Sequence, residues 1–118
     1  MKKVLIVEDD ADTLDLMEII LRKAGYGVIK ANREVTVKEI AGIKPHLVIL
    51  DYLLPFGLRT EKCFEIKTNA LTADIPAILY SASKRFEKYA AESTADAFIG
   101  LPHIGDRLAQ YLLISNNA

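Results

Sequence analysis

Short apolar runs of strand length alternate along this chain with segments whose apolar positions recur every three or four residues. The runs are VLIV (4–7), VIKA (28–31), LVIL (47–50), AILY (77–80) and AFI (97–99). Most are apolar at consecutive positions, so both faces of each strand need cover, as in a parallel sheet between layers of helices. In between, Leu14, Met17, Ile20, Leu21 and Ala24 mark a first helical stripe, with acids ahead of it and Arg22, Lys23 and Gly25 behind. That charge order suits the two ends of a helix. Val37, Ile40 and Ala41 predict a short second helix stopped by Pro45, and Cys63, Ile66 and Ala70 a third. Phe86, Tyr89, Ala90 and Ser93 predict a fourth. Ile104, Leu108, Tyr111 and Leu112 predict a fifth, which Leu113 and Ile114 widen.

Five strands alternating with five helices predict a doubly wound α/β sheet, with the flavodoxin-like strand order 2-1-3-4-5. The chain of 118 residues is enough for one domain, and neither a repeat nor a linker divides it, so a single domain over 1–118 without an output domain is expected. The net charge of −1 offers no electrostatic case for nucleic acid or an anionic membrane. The opening MKKVLIVEDD has lysines before an apolar run, but four residues followed by three acids are too short for a signal or a span. The single cysteine, Cys63, excludes an internal disulfide and falls on a helical stripe, where buried filler is the expected role. A cytoplasmic location without membrane insertion follows as the expectation.

Local clusters must then carry the chemistry. In a sheet of this order ligands sit beyond the carboxyl ends of the strands, where strand order reverses. VLIV runs into Glu8, Asp9 and Asp10, and LVIL runs into Asp51. If the first and third strands are neighbours, these carboxylates converge, and a cation is needed to hold them ionised together. Oxygen donors without histidine or cysteine favour a hard ion, with Mg2+ the best fit. The plain reading of Asp10 and Asp12 is helix capping, which suits both. It does not suit Asp51, because a cap needs no apolar strand behind it. AILY ends at Ser81, whose hydroxyl would line the same mouth, although a lone serine there is more often a turn or cap residue.

With these residues in hand, the chain resembles a response-regulator receiver domain over essentially its whole length. The pieces that carry the resemblance are VLIVEDD, KPHLVILDYLLP, DIPAILYSAS, ADAFIG and the LP at 101–102, in family order, with a slightly short stretch from Ser81 to Pro102. The resemblance implies that Asp51 accepts a phosphoryl group from a phosphohistidine on a sensor histidine kinase or phosphotransfer protein. It implies that Glu8 and Asp9 hold Mg2+, with Asp9 the direct ligand, together with Asp51 and the backbone carbonyl of Leu53. Ser81, with the adjoining Ala82, matches the position that binds the phosphoryl group and switches. Phe98 matches the aromatic that reorients with it, though a plain core role fits that residue equally. Output would pass to a protein partner through the face made by helix 4, strand 5 and helix 5. Enzymatic activity would be limited to self-catalysed phosphotransfer and autodephosphorylation at Asp51.

The pattern departs from the family at three places. Leu101 stands where the family has a lysine before the proline, and leucine cannot pair with phosphoryl oxygens. His103 stands at an aromatic position, and Leu58-Arg59 replaces the usual Asp-Gly. Lys84 or Arg85 could substitute for the lost cation, although an exposed helix face explains that basic pair more simply. Two readings follow. One is a phosphorylatable receiver with weakened coupling, favoured because Glu8, Asp9, Asp51 and Ser81 are all present. The other is a phosphorylation-independent protein-binding scaffold. A flavin- or nucleotide-binding module is disfavoured, since the acidic EDDAD after the first strand would repel a phosphate.

Overall fold

All five expected strands form, each within one residue of the apolar run that predicted it. In chain order the elements are β1 (Lys3–Val7), α1 (Ala11–Lys23), β2 (Gly27–Ala31), α2 (Val37–Ile43), β3 (Leu47–Asp51), α3 (Arg59–Thr68), β4 (Ala77–Ser81) and β5 (Ala97–Gly100). The computed structural model describes residues 1–51, 59–81 and 95–100, and for Asp51, residues 59–61, Ser81, Phe98 and Gly100 the main chain alone. The expected fourth and fifth helices lie outside the described residues. Every strand pair is parallel and the order is β2-β1-β3-β4-β5, as the sequence pattern predicts. The order reverses between β1 and β3, which places the topological switch at the carboxyl ends of those two strands.

The consecutive apolar residues of the strands feed two separate cores. Val4, Ile6, Leu47, Ile49, Ile78, Tyr80 and Ile99 pack on one face with Leu14, Met17 and Leu21 of α1. Leu5, Val7, Val48, Leu50, Ala77 and Leu79 pack on the other with Ile40 of α2 and Cys63 and Ile66 of α3. Alternate residues of one strand thus serve opposite layers. Each fully buried Leu, Ile or Met contributes about 1.5–3 kcal/mol. Strand β2 departs from this pattern: it is an edge strand with Lys30 exposed. Lys30 pairs with Glu18 at 2.9 Å and Asp15 at 3.3 Å on α1, so charge borders the open edge, a common guard against edge-to-edge pairing.

The helices end where their capping residues dictate. Asp10 caps α1, and behind the helix Gly25 takes φ 96° while its N–H donates to the Arg22 carbonyl at 3.0 Å. That left-handed turn fits glycine and lets Tyr26 N–H reach Leu21 O. Ala24, expected on the buried stripe, is the exposed C-cap instead. Thr36 and Glu39 form a reciprocal capping box on α2, which closes on Lys44 at φ 55° just before Pro45. Ala70 lies beyond the end of α3, in an exposed turn, because the helix stops at Thr68. No described helix is long and apolar enough to cross a membrane.

Candidate functional site

The carboxyl ends of β1, β3 and β4 line up across three adjacent strands. Val7 pairs with Leu50, and Asp51 pairs with Tyr80. Glu8, the next residue after Val7, therefore comes level with Asp51 in the neighbouring strand. Parallel neighbours lie about 4.8 Å apart. The main chain at Glu8 stays in the ladder, since its N–H donates to Ala31 O of β2 at 3.0 Å. Rigid sheet on both sides thus fixes where the first acid of the EDD run begins.

The three acids of that run do different things. Glu8 is buried, with only 3% of its surface exposed. Its Oε2 accepts a hydrogen bond from the Tyr80 hydroxyl at 2.6 Å, and its Oε1 a long one from Asp10 N–H at 3.4 Å. A carboxylate taken out of water needs such donors to remain ionised. Asp9 is exposed in the bend between strand and helix. Asp10 is committed to capping: its Oδ2 accepts from Thr13 N–H at 2.9 Å and from the Thr13 hydroxyl at 2.6 Å. The Thr13 hydroxyl, and then its N–H, hold the Asp10 carboxyl below the usual range. The capping reading of Asp10 is borne out, and Asp12 sits in the first turn of α1.

At the other expected positions, the Asp51 main chain closes β3, and Ser81 closes β4 opposite Gly100. Phe98 pairs through its main chain with Leu79. Leu53, Ala82, Lys84, Arg85, Leu101 and His103 lie outside the described residues. Among the described residues no three His, Cys, Asp or Glu side chains are grouped to hold a metal. The third carboxylate of the expected set, Asp51, contributes only main chain to that description. The donor chemistry present, one buried and one exposed carboxylate at a strand end, fits a hard cation and offers nothing to a soft one.

Sequence reasoning missed Tyr80, which it took only as the last apolar residue of a strand. A signal was there. Tyr80 follows Ala77, Ile78 and Leu79 at a core position, and a buried phenol needs a partner for its hydroxyl. The partner lies 72 residues away, beyond the reach of any local pattern.

No protein-family model matches the chain. The phosphate regulon transcriptional regulatory protein PhoB of Pseudomonas aeruginosa is 35% identical over 82 residues, which are 69% of this chain and 36% of that protein. The chain therefore spans little more than a third of that curated relative. Among solved structures, a response regulator receiver domain protein (CheY-like) from Methanospirillum hungatei is 27% identical, with a TM-score of 0.73 over 99% of this chain and 98% of that one. The response regulator TrrA from Thermotoga maritima, solved in complex with Mg2+ and BeF, superposes with a TM-score of 0.74 at 24% identity. That alignment covers 98% of this chain and 99% of the other.

Proposed function

The chain belongs to the response-regulator receiver family of two-component signalling, and on that premise we propose that it is a Mg2+-dependent phosphoacceptor with Asp51 as the modified residue. One observation carries the reading: the register that sets Glu8 level with Asp51, at the point where strand order reverses. Only there does a doubly wound sheet deliver side chains from two strands into one crevice.

In this reading an Asp51 carboxylate oxygen forms the new O–P bond as the P–N bond to a donor phosphohistidine breaks, and the histidine leaves. Phosphoryl transfer depends on in-line positioning and on charge neutralisation at the equatorial oxygens. Glu8, Asp9, Asp51 and the Leu53 carbonyl would hold Mg2+, which when bound supplies part of that neutralisation. The Ser81 hydroxyl and the Ala82 main chain are assigned to the phosphoryl oxygens, and Phe98 to the response. The donor is a sensor histidine kinase or phosphotransfer protein. Output passes to a protein partner through β5 and the two helices expected beside it. The Mg2+ in the Thermotoga maritima complex supports the cofactor assignment.

The test is incubation with a small acyl or amido phosphate and Mg2+, read by intact mass. The expected result is a single phosphoryl adduct that Asp51→Asn abolishes. An adduct that survives Asp51→Asn overturns the site assignment. No adduct on the unmodified chain, under conditions where Leu101→Lys gains one, replaces this reading with the scaffold.

A further inference from the structure

We propose that Tyr80 is a positioning residue for the cation site, its hydroxyl holding the Glu8 carboxylate in place across the end of β3. The inference rests on the reading of Glu8 and Asp9 as the acidic pair that holds Mg2+. It goes beyond that reading because it gives a role to a residue outside the family-like acids.

The geometry sets Tyr80 apart from ordinary core filler. Positions 8, 51 and 80 lie at one level on β1, β3 and β4, by the pairs Val7–Leu50 and Asp51–Tyr80. Its ring packs in the same core as Ile6 and Ile49, and its hydroxyl spans the intervening strand to Glu8 Oε2 at 2.6 Å. Leucine or phenylalanine would fill that core position with no polar atom to satisfy. The hydroxyl therefore serves the carboxylate rather than the packing.

A glutamate side chain has several rotatable bonds, and ordering it costs free energy when a ligand arrives. Tyr80 imposes that order in advance, so less is lost on cation binding. The hydroxyl takes only one of the two lone pairs of Oε2, so the bond does not of itself bar the carboxylate from a cation. Groups that hydrogen-bond a metal's carboxylate ligands in this way typically change metal affinity by about 10- to 100-fold when removed.

The bland alternative is that the bond merely satisfies a buried phenol. Both roles lower stability when the hydroxyl is removed, but only positioning weakens Mg2+ binding in a chain that is still folded. The experiment is a Mg2+ titration of the 15N-labelled full chain and its Tyr80→Phe variant, following the Asp9 and Asp51 amides. The expected result is a native spectrum for Tyr80→Phe with Mg2+ bound about tenfold more weakly. A folded variant whose affinity stays within about twofold of the unmodified chain overturns the inference while leaving the cation site intact. If the unmodified chain shows no saturable response to Mg2+, the underlying reading fails, and this inference with it. A second measurement needs no variant. The Tyr80 ring resonances should move on the same isotherm as Asp9, while those of Tyr26, before β2 at the opposite end of the sheet, stay still. A Tyr80 ring that ignores Mg2+ while Asp9 responds overturns the inference as well.

Discussion

The Tyr80 hydroxyl donates to Glu8 Oε2 at 2.6 Å, tying the end of β4 to the end of β1 over the intervening β3. It is a buried hydrogen bond to a carboxylate, of the kind that contributes about 1.5–3 kcal/mol. Tyr80→Phe keeps the ring and removes only the donor, so the variant should lose about that much stability. Domains of this kind have about 5–15 kcal/mol in hand, so the fold survives. Urea denaturation should show a lower midpoint with an unchanged slope. An unchanged midpoint would mean that the bond does not form in solution.

The fold was legible because strands and helices announce themselves through local periodicity. Runs such as VLIV and LVIL needed only cover on both faces to imply the parallel sheet, and the two cores supply that cover. Periodicity failed at element ends. Ala24 and Ala70 have the right spacing for their stripes, but capping and turn geometry stop both helices before them. It held at β2, where Lys30 interrupts the apolar run and the expected strand order already places that strand at the edge. In the site, Glu8 and Asp9 could be chosen as acids behind a strand. That Glu8 is buried, and by what it is held, depends on a contact between distant parts of the chain. No spacing rule encodes that contact.

Cys63 sits fully buried in the core beneath α3. Burial, and then the nearby Asp96 carboxylate, push its thiol up to about 12, against the opposing pull of Lys67. Since the thiolate is the nucleophile, alkylation of the native chain near neutral pH should be very slow. In urea the same thiol should react at the rate of a free cysteine. Rapid modification of the folded chain, read by mass, would refute this placement.

Glu39 closes the α2 capping box and meets Arg33 Nη2 at 2.6 Å. The Arg33 hydrogen bond first, and the Thr36 N–H second, lower its carboxyl to about 2 from an ordinary 4.5. The folded value is depressed, so the stability this group adds is complete above about pH 4.5 and is lost as pH falls through about 2. Because the pair is exposed, the effect is modest and weakens with salt. A carboxyl NMR titration should place Glu39 well below the exposed glutamates. Arg33→Ala should return it most of the way to the ordinary range, leaving only the Thr36 contribution.

At the opposite end of the sheet from the site, His46 binds the start of β1 by two hydrogen bonds. Its ring Nδ1 accepts from Lys3 N–H at 3.0 Å, and its main-chain N–H donates to Lys3 O at 2.9 Å. The acceptor role fixes a neutral imidazole with its proton on Nε2, because a protonated Nδ1 would face another donor. Burial first, then the charges of Lys2 and Lys3, hold the imidazole below its usual 6.5. The unfolded chain therefore takes up the proton first as pH falls. The contribution of His46 is complete above about pH 6.5 and declines as pH drops toward the lower folded value. Denaturation at pH 7.5 and pH 5 should show this loss. His46→Asn offers an acceptor oxygen that does not titrate, so the difference between the two pH values should shrink. If the variant keeps the full pH dependence, the loss arises elsewhere, and the imidazole at the foot of β1 is not its source.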